Sequence, residues 1–150
     1  DMVKDVLKRL NFWGNEQKSD TSNQVKVMDL HRFPLSVAKA AIDYVLSELI
    51  NRISRNIDTL SKNLDQIPED FQWNKNTFDL KIITGRGNHV NSEGKRGVLR
   101  SEIELYITKN IEPQHKLTCV KMSDNDGVLI IPKESIEKWV KAKILESSMK

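Results

Sequence analysis

An amphipathic helix pattern lies between two strand-like runs of this sequence. Residues 24 to 31, QVKVMDLH, alternate in the manner of a β-strand. An apolar stripe with helical spacing then runs from Val37 to Leu49, and residues 78 to 83, FDLKII, form a second strand-like run. Because a helical crossover returns the chain to the same end of a sheet, we expect the two strands to be parallel.

The remaining patterns complete an α/β domain. A second helix is predicted to begin at Val98. Residues 116 to 122 and 127 to 132 are predicted to be two strands joined as a hairpin, and a C-terminal helix is predicted at about 132 to 145. The polar stretch at about 56 to 77 is predicted to be a long loop or partial helix. The prediction is an α/β fold with a mixed four-stranded sheet and packed helices.

Residues 1 to 24 are predicted to be an N-terminal helix and a polar linker, and residues 25 to 150 one domain. The helix either belongs to a preceding domain or packs on this one. The chain begins with Asp1 rather than Met, which is consistent with a fragment or a processed form.

Composition narrows the functional classes. Hydrophobic residues make up 38% and charged residues 30% of the 150 residues, as in globular α/β proteins. There is no secretory signal and no apolar run long enough to cross a bilayer, so we expect a protein that is neither secreted nor bound to membranes. With Cys119 as the single cysteine, an internal disulfide or a CxxC zinc site is excluded.

Positive charge is concentrated in one segment. Residues 81 to 100 carry five cationic side chains and one anionic one, a net charge of +4, whereas the whole chain carries +3. A solvated loop would explain such a segment, and so would a nucleic-acid contact.

Polar residues follow both of the first two strands. Because side chains alternate along a strand, Val25, Val27, Asp29 and His31 share one face, and we expect the valines to be buried with Asp29 and His31 at the rim, about 7 Å apart. In open sheets ligands bind beyond the carboxyl ends of parallel strands. The loop after the second strand should lie beside them and adds Thr84, Gly85, Arg86, Gly87 and His89.

This combination suits phosphate chemistry. Glycines let backbone N–H groups approach an anion, and arginine provides a fork matched to phosphate oxygens. A histidine exchanges protons near neutral pH, and a nearby carboxylate orients the imidazole or holds a divalent cation. Taken singly, Asp29 would also be typical of a turn or a helix cap, and His31 would be typical of a structural residue at the rim of the sheet. Only the combination of these residues favours a functional site. Phe71 and Trp73 either stack on bases or anchor the loop.

The motifs MDLH at residues 28 to 31, ITGRGNH at 83 to 89 and GVLR at 97 to 100 resemble those of the Smr (small MutS-related) domain. The resemblance covers roughly residues 25 to 131. It implies a two-layer sandwich like the C-terminal domain of bacterial initiation factor three, with DNA nicking, RNA cleavage or nucleic-acid binding as the activity. Arg32 departs from the glycine usual in the family and adds a potential phosphate contact.

The resemblance implies roles for particular residues. Asp29, His31 and His89 match the family's motifs and would be catalytic. Some members of the family depend on a divalent metal without a settled set of ligands, and the carboxylate of Asp29 is the ligand expected here for Mg²⁺ or Mn²⁺. The residues expected to contact nucleic acid are Arg32, Thr84, Gly85, Arg86, Gly87, Lys95, Arg96 and Arg100.

The sequence is compatible with three functions. The first is an endonuclease, acting on RNA in preference to DNA; the second is a non-catalytic RNA-binding module that assists an attached repeat array; the third is a nucleotide-binding domain. Residues 127 to 140 are also similar to the ends of pentatricopeptide-repeat proteins that carry a C-terminal Smr domain. That likeness implies an upstream repeat domain and a mitochondrial or plastid location, with the cytoplasm as the alternative.

Overall fold

A computed structural model describes residues 5, 7–8, 12–13, 25–31, 33–60, 67–85, 98–110, 117–122 and 125–148. The strands are β1 (Val25–Asp29), β2 (Asp79–Ile83), β3 (Val120–Met122) and β4 (Asn125–Ile131), and the helices are α1 (Leu35–Leu60), α2 (Val98–Leu105) and α3 (Lys133–Ser148). A 3-10 turn covers Trp73–Lys75, and α2 continues as a π-helical turn at Tyr106–Asn110. The predicted mixed α/β class is confirmed.

The sheet has the strand order β1-β2-β4-β3. β1 pairs with β2 in parallel, as the helical crossover through α1 predicts, and β2 pairs antiparallel with β4. The three-residue β3 borders β4, which begins two residues earlier than the predicted strand, at Asn125. The parallel register aligns Asp29 with Ile83, so β1 and β2 end side by side.

One face of the sheet is covered by helices. Met28, Ile82 and Leu129 are neighbours across β1, β2 and β4, and all three are fully buried. Helix α1 contacts both α2 and α3, which indicates a single helical layer over this face. The residues that pack from the helices include Ile42, Val45, Ile53, Ile103, Ile136 and Val140.

The prediction that Val25 and Val27 are buried is wrong. Their exposed fractions are 52% and 45%, whereas Met28 and Leu30 are fully buried. A shift of one residue turns the opposite row of a strand to the core. Met28 and Leu30 bury more apolar surface than the two valines would. Lys26 belongs to the same row, so its charged amine lies on the face of the sheet that the core covers.

The N-terminal segment accommodates Lys26. We call Leu7, Phe12 and Trp13 the N-terminal strap. The amine of Lys26 lies 5.7 to 5.8 Å from the ring centroids of Phe12, Trp13 and Phe78 and donates hydrogen bonds to the carbonyl oxygens of Phe12 and Trp13, at 3.3 and 3.4 Å. Burial, followed by the charge of Arg52, lowers the pKa of the Lys26 amine.

The strap is part of the domain. Leu7 and Phe12 are 3% and 5% exposed and belong to the core, and the guanidinium carbon of Arg52 lies 4.2 Å from the centroid of the Trp13 ring. The structure thus favours packing on this domain over membership of a preceding one. Linker residues 14 to 24 lie outside the described residues.

The loop predicted at residues 56 to 77 begins later than predicted, because its first residues are helical. Helix α1 continues to Leu60 because Ile53 and Ile57 extend its buried stripe. Phe71 is buried and meets Trp73 edge to face at 4.9 Å, while the Lys141 amine of α3 lies 5.7 Å from the Trp73 ring centroid. These contacts match the anchoring alternative rather than base stacking.

A polar contact joins the π-helical turn to α1. The hydroxyl of Tyr106 donates to the carboxylate of Asp43, with oxygen separations of 2.6 and 2.7 Å, and the Lys39 amine lies 5.3 Å from the Tyr106 ring centroid. Burial, this hydrogen bond and the carboxylate charge raise the pKa of Tyr106 to about 12. On the described part of the chain, no helix combines the length and hydropathy required to span a membrane.

We expect Phe12→Ala to lower the free energy of unfolding by about 3 kcal/mol, because it removes a core aromatic ring and opens the site that holds Lys26. Urea denaturation followed by circular dichroism measures this. The control, Lys8→Ala, changes an exposed side chain of the same segment and should alter stability by no more than about 0.5 kcal/mol. Equal stabilities of the two variants would contradict docking of the strap.

Tyr106 should titrate abnormally late. Tyr44→Phe leaves Tyr106 as the single tyrosine, so the tyrosinate absorbance of that variant should rise with a midpoint near pH 12. The folded state holds this proton more tightly than the unfolded chain, so the stabilisation is complete below about pH 10 and lost between about pH 10 and 12. Adding Asp43→Ala should shift the midpoint down; a midpoint near pH 10 with Asp43 present would contradict the contact.

Candidate functional site

The ends of β1 and β2 bring two distant segments to one rim of the sheet. The amide of Leu30 donates to the carbonyl of Ile83 at 2.8 Å, which extends the parallel pairing one residue past β1. Gly85 has a φ of 89°, and a Cβ atom built on it would lie 3.4 Å from the Cβ of His31. The predicted meeting of residues 29 and 31 with the start of the glycine loop is therefore confirmed.

Asp29 and His31 form a hydrogen-bonded pair. β1 ends at Asp29, and the chain then turns so that Asp29 Oδ1 accepts from the backbone N–H of His31 at 3.2 Å and also contacts His31 Nδ1. The strand expected to run to His31 is thus replaced by a turn built on the aspartate side chain. The two side chains are 36% and 44% exposed, so solvent and a ligand can reach them.

The pairing fixes the chemistry of the imidazole. An ionised carboxylate can only accept hydrogen bonds, so the neutral His31 ring carries its proton on Nδ1. The lone pair on Nε2 is then available to take a proton from a hydroxyl group. An aspartate orients the imidazole in the same way in the triads of hydrolases.

Thr84 and Gly85 are held in place by hydrogen bonds to β4. The carbonyl of Gly127 on β4 accepts from the amides of Thr84 and Gly85, at 2.7 and 3.2 Å, and from the Thr84 hydroxyl at 3.2 Å. Thr84 is 6% exposed. Contacts of these three donors with nucleic acid, as predicted from the sequence, would require breaking bonds to Gly127; the structure instead gives both residues a positioning role.

Gly127 is a residue of the site that no sequence pattern predicts. The sequence predicts it as the first residue of the fourth strand, whereas it lies within β4 and is buried. Its carbonyl holds the first two residues after β2 and thereby presents Gly85 to His31. No sequence motif marks a backbone carbonyl as part of a site, and the pairing of β4 with β2 is seen only in the structure.

The other predicted residues are only partly described. Arg100 lies in the first turn of α2 and is half-buried. The remaining ones lie outside the described residues, and their roles stay predictions: Arg32, Arg86, Gly87, His89, Lys95 and Arg96.

A metal at this rim would rely on Asp29. Among residues that the structure describes, no group of three or more histidine, cysteine, aspartate or glutamate side chains could hold a metal ion. Asp29 Oδ2 takes no part in the bonds to His31. One carboxylate oxygen fits Mg²⁺ that keeps several water ligands and takes others from substrate phosphates, so the predicted metal remains a prediction centred on Asp29.

Cys119 lies away from this chemistry. It is half-buried, and burial together with the charge of Glu104 raises the pKa of its thiol to about 12. A thiol with so high a pKa is a poor nucleophile at neutral pH. Cys119 therefore packs as a small apolar side chain, as the sequence suggested.

In comparisons with known proteins, no family model, no curated protein and no solved structure matches this chain. The resemblance to the Smr domain therefore rests on the motif residues themselves.

Proposed function

We propose that this chain is an Smr-type nucleic-acid-binding domain that cleaves phosphodiester bonds, with RNA as the preferred substrate. The observation that carries the proposal is the exposed Asp29–His31 pair beside Gly85, at the carboxyl ends of two parallel strands. The single helical layer and the mixed sheet also support the two-layer fold of the initiation factor three C-terminal domain as a proposal.

His31 acts as the general base in this proposal. Its Nε2 takes the proton of the attacking hydroxyl, the hydroxyl oxygen bonds to phosphorus, and the bond from phosphorus to the leaving oxygen breaks. The leaving oxygen takes up a proton from solvent or from His89. RNA is favoured because its 2′-hydroxyl is a nucleophile already placed beside each phosphate, and a single base can activate it.

Asp29 is the positioning residue. It holds the Nδ1 proton and keeps Nε2 directed outward, and its charge stabilises protonated His31. A bound Mg²⁺ or Mn²⁺, with Asp29 as its proposed protein ligand, would supply positive charge to the phosphate oxygens.

The basic segment supplies affinity. Arg32, Arg86, Lys95, Arg96 and Arg100 are proposed to contact phosphates, since cationic side chains give nucleic-acid binding that is independent of sequence. An upstream repeat domain and an organellar location are proposals that rest on the likeness of residues 127 to 140 to the ends of repeat proteins.

We expect His31→Ala to reduce the rate of RNA cleavage by about 10²- to 10⁴-fold, the range of general base catalysis, with RNA affinity changed less than about threefold. Asp29→Asn should lose part of that factor, because an amide oxygen still accepts from Nδ1 but carries no charge. Cleavage of labelled RNA and of supercoiled plasmid, with Mg²⁺, with Mn²⁺ and with chelator, provides the measurement.

The matched control is Asp58→Asn, which neutralises an exposed carboxylate of α1 and should leave cleavage unchanged. Undiminished cleavage by His31→Ala would remove His31 as the base. If the wild-type protein binds RNA but cleaves neither substrate under any metal condition, the chain is a binding module and the enzyme proposal fails.

A further inference from the structure

The face of the sheet opposite the helices bears accessible apolar side chains. We call Val25, Val27, Lys81 and Ile83 the open face. In the parallel register Val25 lies opposite Asp79, and Val27 lies opposite Lys81. Val25 and Val27 are 52% and 45% exposed, and Lys81 and Ile83 are half-buried.

Along β1, the open face is continuous with the proposed site; on β4, Val128 lies opposite Ile83 but is only 3% exposed and does not belong to the open face. Side chains two residues apart point to the same face of a strand, so Asp29 ends the row of Val25 and Val27. Asp29 also lies opposite Ile83, which ends the row of Lys81. The distance from Val25 to Asp29 along the strand is about 13 Å at about 3.3 Å per residue.

We infer that the open face binds a single-stranded segment of nucleic acid and leads it to Asp29 and His31. This inference rests on the proposed function and deepens it, because it assigns the substrate class as single-stranded rather than duplex.

Lys81 is the cation of the open face that suits a polyanion, and the carboxylate of Asp29 lies at the end of the face, in the proposed site. Lys81 places a cation in the middle of the face, beside Val27. Asp79, at the start of β2, is engaged elsewhere: its Oδ1 accepts from the backbone N–H of Lys133 at 2.6 Å, at the N-terminus of α3, where the helix dipole offsets a negative charge. Along the chain, Lys81 also opens the segment of net charge +4 that ends at Arg100.

The exposed valines favour single-stranded nucleic acid over a duplex as the ligand of the open face. A duplex presents phosphates and sugars on its outside and stacks its bases within, so aliphatic side chains on a flat sheet gain little from it. The unstacked bases of a single strand present apolar faces that can pack on Val25 and Val27 while the backbone meets Lys81. Such packing tolerates many sequences, since every base has an apolar face.

The test measures binding in a His31→Ala background, so that substrate stays intact. We expect Val27→Glu and Lys81→Glu each to weaken binding of a single-stranded RNA at least tenfold. Lys81→Ala should reduce the slope of log K against log salt by about 0.7, the value for one phosphate contact on a single strand. The unmodified open face should prefer single-stranded RNA to duplex of the same sequence.

Matched controls lie on the helical layer. Leu145→Glu changes an apolar side chain that is 44% exposed, close to the 45% of Val27, and Lys138→Glu reverses an exposed charge on α3. Both should leave affinity within about twofold. Val27→Ser repeats the test at that position without adding charge, and circular dichroism verifies that each variant is folded.

Several results would overturn the inference: affinity unchanged by Val27→Glu and Lys81→Glu, no preference for single strand over duplex, or loss of self-association as the only effect of Val27→Glu. In the last case the face would bind a second copy of the chain. Cleavage by the wild-type protein is scored separately. If it cleaves RNA while the open-face variants bind normally, only this inference fails, and if it binds through the open face without cleaving, only the enzyme proposal fails.

Discussion

The parallel pairing of β1 with β2 determines where the residues of the candidate site lie. Its register ends both strands at the same level, with Asp29 opposite Ile83. The turn after β1 and the glycine after β2 then have to occupy neighbouring space. Gly85 meets this requirement because it adopts a positive φ, a backbone conformation that residues with a side chain rarely adopt. The chemistry of the rim is thus a consequence of strand register.

A second constraint operates beneath the sheet. Turning Met28 and Leu30 to the core also turns Lys26 inward, and an uncompensated buried amine would be costly. Three aromatic rings and two backbone carbonyls surround it, and two of the rings come from the N-terminal strap. The strap is therefore tied to the same strand that carries Asp29. Because the row of β1 that contains Met28 and Leu30 faces the core, the valines of the other row face outward and form part of the open face.

The sequence predicted the parts of the fold that hydrophobic spacing determines. The α1 crossover, the parallel first pair and the nearness of Asp29 and His31 to the glycine loop all follow from it. The buried row of β1 could not be predicted, because the environment of Lys26 depends on a segment distant in sequence. The positioning roles of Thr84 and Gly85 were missed as well, since they depend on a single backbone carbonyl, that of Gly127.

The contact between Gly85 and His31 offers the most direct test, since the proposed chemistry requires the two strand ends to meet there. A nuclear Overhauser measurement on labelled protein should show a strong cross-peak between an Hα of Gly85 and the Hβ protons of His31, because the Cβ position of Gly85 lies 3.4 Å from the His31 Cβ. Absence of that cross-peak, with both residues assigned and other contacts between β1 and β2 present, would contradict the site.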